Sequence, residues 1–139
     1  MDDSEIERRI ISALAPRGEV LEAYLFGSRA AGRAQAHSDT DIAVFVEKHA
    51  LRRQDYGYAA QLTAQLMSAL GSNEIDVVVL NRAPPLLYHR VLRDGRRILA
   101  RDLRATTTRE GYALSRYCDF VPQLAKMKAA RRAVAAGAR

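Results

Sequence analysis

The chain has 139 residues, 48% of them hydrophobic, a formal net charge of +6 and one cysteine. That length suits one domain with a real core, spanning 1–139, and the lone Cys118 excludes an intrachain disulfide and a thiolate metal cluster. No apolar run is long enough to span a bilayer, and the opening MDDSEIERRI is acidic then basic, unlike a secretory signal, so a cytoplasmic protein without a membrane partner is expected.

Ser4-x-x-Glu7 reads as a capping box ahead of a helix with Ile6, Ile10, Ile11 and Leu14 on its apolar side. Pro16 and Gly18 end that helix. Val20–Phe26 reads as a strand that delivers Gly27-Ser28. Residues 28–34 read as a short helix interrupted at Gly32, and 35–38 as a loop in which His37 is an ordinary loop residue. Thr40–Val46 is the second strand. Ile42, Val44 and Val46 share one face, and Asp39, Asp41, Ala43 and Phe45 share the other.

Residues 54–70 carry Ala59, Leu62, Leu66 and Leu70 on one helical stripe, with Gly71 as its stop. Residues 74–80 read as a third strand, Asp76 sharing a face with Val78 and Leu80. Asn81-Arg82-Ala83-Pro84-Pro85 opens another helix, proline in its first turn, and Gly95 closes it. Arg96–Ala100 is a short edge strand. A C-terminal helical segment follows from about 105, its pattern plain from Thr108 onward. There Ala113, Tyr117, Phe120, Leu124 and Met127 recur at spacings of four, three, four and three, a heptad-like seam. Pro122 should kink or split it. The seam either docks on the domain's own core or presents Tyr112, Tyr117 and Phe120 to a partner. The tail 126–139, rich in Ala, Lys and Arg, is expected to fray.

The stretch LFGSRAAGRAQAHSDTDIAVFV concentrates the chemistry. Gly27 admits close approach of a ligand to the backbone. Ser28, with free N–H groups opening a helix, can hold phosphate oxygens. Arg29 either neutralises charge on a leaving group or is a solvated surface arginine. Asp39 and Asp41 aim at one point, where they repel each other unless a cation lies between them. Hard divalent cations such as Mg2+ take such carboxylates together with substrate phosphates. Alone, a Gly-Ser pair is usually a turn and an Asp-x-Asp pair a solvated strand start or a helix cap. The combination carries the weight.

Gly27-Ser28, ten intervening residues and Asp39-Thr40-Asp41 together resemble the signature of the nucleotidyltransferase superfamily related to DNA polymerase β. The resemblance implies a small mixed sheet packed by helices on one face, an α/β (α+β) fold, with a C-terminal helix added. It also implies a third carboxylate on the adjacent strand, which Asp76 supplies. Three such carboxylates suit two-metal nucleotidyl transfer, Asp76 being the candidate base. Over its whole length the chain is similar to the minimal nucleotidyltransferase (MntA-type) antitoxins. The similarity rests on GSRAAG, SDTDIAVFV, IDVVVLNRAPPLLYHRVLRDGRRIL and RYCDFVP. It implies transfer of AMP from ATP to a tyrosine of a HEPN-domain ribonuclease toxin (HepT), with Gly27, Ser28, Asp39, Asp41 and Asp76 as the site and two Mg2+ ions as cofactors. Ala31 departs from the pattern, where a second arginine is expected.

The length points the same way. Almost every residue is needed for the nucleotide-binding domain, so an acceptor carried on another folded protein, or a homodimer, would complete the site. The alternatives are a small-molecule nucleotidyltransferase of the aminoglycoside type, an antitoxin acting by contact alone, and a basic nucleic-acid-binding protein. The last lacks an aromatic stacking platform and helix-turn-helix spacing.

Overall fold

The computed structural model describes residues 2–27, 39–53 and 57–137. In chain order these form α1 (Asp3–Leu14), β1 (Val20–Phe26), β2 (Thr40–Val46), α2 (Lys48–Arg53) and α3 (Tyr58–Leu70). They continue with β3 (Ile75–Val79), a 3-10 turn (Leu80–Arg82), α4 (Pro85–Asp94), β4 (Arg96–Ala100) and α5 (Leu103–Gly137). The strands make a mixed sheet in the order β3-β2-β1-β4. β1 runs antiparallel to β2 and to β4, whereas β2 and β3 are parallel. Parallel neighbours need a crossover between them, and α2 and α3 provide it.

Strand alternation sorts the side chains into two layers. Ala23, Leu25, Ile42, Val44 and Val46 meet α1 and α3 in one core. Tyr24 and Ala43 face the other way, against Tyr88 and Val91 of α4 and Ala113 of α5. The expected helical layer is therefore present, and a second layer covers the opposite face. α4, which links β3 to β4, and α5, which follows β4, both lie over that second face.

The helix ends follow local chemistry, with some departures from expectation. α1 is capped by Asp2, whose Oδ1 accepts from the Glu5 N–H at 2.8 Å. The cap is thus Asp2, two residues ahead of the Ser4 expected, and it sets a full negative charge on the helix's positive end. Gly71 closes α3 at φ +64°, where a side chain would be strained. α3 begins at Tyr58, and α2 lies before it where no helix was expected. α5 begins at Leu103, where Asp102 accepts from the Ala105 N–H at 3.2 Å. It runs unbroken through Pro122 to Gly137, so the expected split and frayed tail are not found. Proline removes only the bond to the Cys118 carbonyl, and Cys118 is exposed to water that can satisfy it. The flanking Ala, Leu, Lys, Arg and Met residues are strong helix formers.

Candidate active site

β1 and β2 meet at one end of the sheet with Phe26 opposite Asp41. The next residue, Gly27, turns at φ +78°. A methyl group at 27 would collide with Asp41 Oδ2, so a side chain there would push that carboxylate aside and strain the left-handed backbone. On the other side of β2, Asp41 is the register partner of Asp76. Parallel partners project to the same face of adjacent strands about 4.8 Å apart. The Thr40 N–H donates to the Glu74 carbonyl at 2.8 Å and holds that register at its first residue. Asp39 lies just before β2 and is exposed.

Three carboxylates thus gather electrostatically around Asp41. Its carboxyl is held above the ordinary carboxylate range, first by burial, then by the charge of Asp76, then by that of Asp39. Among the described residues, no group of three His, Cys, Asp or Glu side chains is gathered closely enough to cage an ion alone. The donor set still suits Mg2+, which is held by one or two carboxylates and completes its shell with phosphate and water. Among the described residues no imidazole or thiolate joins these carboxylate oxygens, a donor set that does not suit a softer metal. Ser28, Arg29, Ala31 and His37 lie outside the described residues.

α4 buttresses this corner. It ends at Gly95, where an added Cβ would strike the Val91 carbonyl and come within 3.1 Å of the Leu25 carbonyl and 3.2 Å of Phe26 Cβ. The end of α4 is therefore seated directly on the strand that leads into Gly27.

The same face holds a buried polar network that sequence reasoning missed. Glu22, fully buried on β1, accepts from Thr106 Oγ1 at 2.8 Å. It also takes a two-pronged contact from Arg109, Nε to Oε2 at 2.7 Å and Nη2 to Oε1 at 2.6 Å. The Arg109 guanidinium lies over the Phe45 ring, 4.9 Å from its centre. One step along β1, the Tyr24 hydroxyl donates to Glu110 Oε2 at 2.7 Å, and Arg97 Nη1 donates to Glu110 Oε1 at 2.8 Å. Burial and then Glu110 push the Tyr24 hydroxyl far up, so it stays protonated. The available signal was one glutamate at an inward position of an otherwise apolar strand.

A mixed sheet carrying paired carboxylates beside a left-handed glycine turn defines a nucleotidyltransferase fold. Residues 8–104 match the family model described as Polymerase beta, Nucleotidyltransferase, and the chain belongs to that family. It is 40% identical over 77 residues to Protein adenylyltransferase MntA of Aphanizomenon flos-aquae (strain 2012/KM1/D3). That match takes in 52% of this chain and 51% of the relative, so it spans about half the length of that protein. A crystal structure of a toxin–antitoxin with AMP-PNP holds a chain 25% identical to this one, with a TM-score of 0.62, covering 94% of this chain and 96% of that one. The tri-AMPylated Shewanella oneidensis HEPN toxin in complex with MNT antitoxin holds another at 24% identity and a TM-score of 0.65. The coverage there is 95% of this chain and 98% of that one, a likeness of fold.

Proposed function

We propose that this chain is an adenylyltransferase antitoxin, which moves AMP from ATP onto a tyrosine of a HEPN-domain ribonuclease toxin in the cytoplasm and so silences it. The observation that carries the reading is the Asp41–Asp76 register pair facing the Gly27 turn. The similarity to a protein adenylyltransferase supports the choice of a protein acceptor, and the likeness to a toxin–antitoxin chain with AMP-PNP supports ATP as the donor.

In this reading Gly27, Ser28 and Arg29 hold the outer phosphates, Gly27 by giving the backbone access. Asp39 and Asp41 would hold Mg2+, with Asp76 sharing a second ion, and the metal would supply charge neutralisation on the triphosphate and a lowered pKa for the attacking hydroxyl. The acceptor tyrosine oxygen bonds to the α-phosphorus while the bond from that phosphorus to the bridging oxygen breaks. Pyrophosphate leaves, and Asp76 receives the tyrosine proton. Asp41, repelled by its neighbours when free, is the carboxylate with most to gain from a cation.

Intact mass spectrometry tests this. The protein encoded by the adjacent gene, taken in this reading as the toxin, is incubated with the chain, ATP and Mg2+. The expected result is one or more AMP increments, absent with the Asp39→Ala/Asp41→Ala double variant. A silenced toxin of unchanged mass in a stable complex would overturn transfer in favour of inhibition by contact.

A further inference from the structure

α5 is longer than the sheet it covers, and its direction is set by its contacts. Thr106 and Arg109 meet Glu22, and Glu110 meets Tyr24, so α5 advances with β1 toward the end that carries Gly27. Arg109 lies over Phe45, and Asp41 is four residues back along β2. That distance is about 13 Å, which a helix covers in about nine residues. α5 therefore draws level with the carboxylates near Cys118 and runs about 30 Å beyond them.

Up to that level α5 is held. Ala113 is buried and Tyr117 stacks on His89 of α4 at 3.6 Å. From Val121 to Gly137 every residue except Leu124 is exposed. The apolar stripe nevertheless continues at heptad spacing through Phe120, Leu124, Met127 and Val134. Met127 is 50% and Val134 73% exposed. Lys126, Lys128, Arg131 and Arg132 flank or interrupt the stripe, and no carboxylate follows Asp119. The matched family region ends at residue 104, so this arm is additional to it.

We infer that the free half of α5 is a docking arm that seats the acceptor protein over the carboxylates, and that its occupant presents an apolar strip edged by acidic side chains. The inference rests on the transferase reading for the identity of that acceptor. The arm emerges on the face and at the end of the sheet that bear Asp41 and Asp76, where a protein acceptor must approach. A second copy is disfavoured, because two such arms set four cations against four. A nucleic acid backbone would meet the cations and leave the apolar stripe in water.

The test titrates the full chain, without ATP or Mg2+, against the protein encoded by the adjacent gene, which the transferase reading takes to be the HEPN-domain toxin. One variant carries K126E, K128E, R131E and R132E together, and a second carries Met127→Glu alone. At least a tenfold rise in Kd in each is expected, with AMP-PNP binding and the thermal melt unchanged. Wild-type affinity in both variants overturns the arm. So does a wild-type chain that does not bind that protein, an arm-dependent dimer in sedimentation, or arm-dependent retention of RNA with toxin binding intact. Failure of the transferase reading is seen separately: arm variants that weaken the complex while the toxin's mass never changes leave the arm standing and remove the transfer.

Discussion

Gly27 and Asp41 compete for the same space, since any side chain at 27 would displace the Asp41 carboxylate. Gly27→Ala should therefore cost far more activity than stability. The left-handed turn at φ +78° adds about 1–2 kcal/mol of strain for a non-glycine residue. Moving a reacting carboxylate by an ångström or so costs about 100-fold in rate. Single-turnover AMP transfer set beside a urea melt separates the two. A variant with the native rate would show that Asp41 does not depend on this fit.

Asp41 also makes stability depend on pH. Its folded value lies above the ordinary 3.8, so the folded state binds the proton more tightly than the unfolded chain. Stability therefore falls as pH rises from near 3.8 through the folded value, and stays lower above it. Asp41→Asn removes this loss. In EDTA at pH 7 the variant should melt above the native chain, and the gap should close below about pH 4. Added Mg2+ should raise the melting temperature of the native chain more than that of the variant, although the variant is inactive. Calorimetric melts at both pH values, with and without Mg2+, check it.

Arg101 closes the C-terminal end of α1 from a distance. Its Nε donates to the Val20 carbonyl at 2.7 Å, and its Nη2 to the Leu14, Ala15 and Arg17 carbonyls at 2.8, 3.0 and 2.9 Å. Arg101→Ala should destabilise the fold by about 2 kcal/mol. Arg101→Lys should recover only part of this, because an ammonium cannot span four acceptors as the planar fork does. Urea unfolding measures both, and AMP transfer by the folded fraction should be unchanged.

Arg109→Ala strands a buried charge on Glu22, with only Thr106 left to answer it. The expected loss is about 3 kcal/mol. Replacing both members, Glu22→Leu with Arg109→Leu, should cost less than Arg109→Ala alone. A double variant less stable than the single would mean that the pair contributes net attraction beyond its desolvation.

Much of this was legible because strands write their faces into alternate residues. β1, β2 and β4 lie at their expected bounds, and Asp41 and Asp76 share the expected face. Their pairing in register was not legible, since parallel strands meet through a crossover whose length does not specify register. α5 starts at Leu103, two residues before the expected 105, where Asp102 caps it and no apolar period announces it. Pro122 was weighed by its intrinsic cost, yet an exposed helix can hydrate the one carbonyl it frees. The role of Glu22 was not legible in the sequence, because its partners lie at 106 and 109. Ser28 and Arg29 keep the standing of sequence-based candidates.

Glu22 and its partners are 84 and 87 residues apart. Synthesis runs from the N-terminus, so β1 leaves the ribosome long before Thr106 and Arg109 exist. Until then Glu22 must keep its hydration, and the second face of the sheet has nothing to close over it. The step that completes the fold is thus the arrival of the helix that ends in the arm. A chain released before these residues are made would expose an unfinished sheet to proteolysis, which ties the supply of folded protein to synthesis of α5.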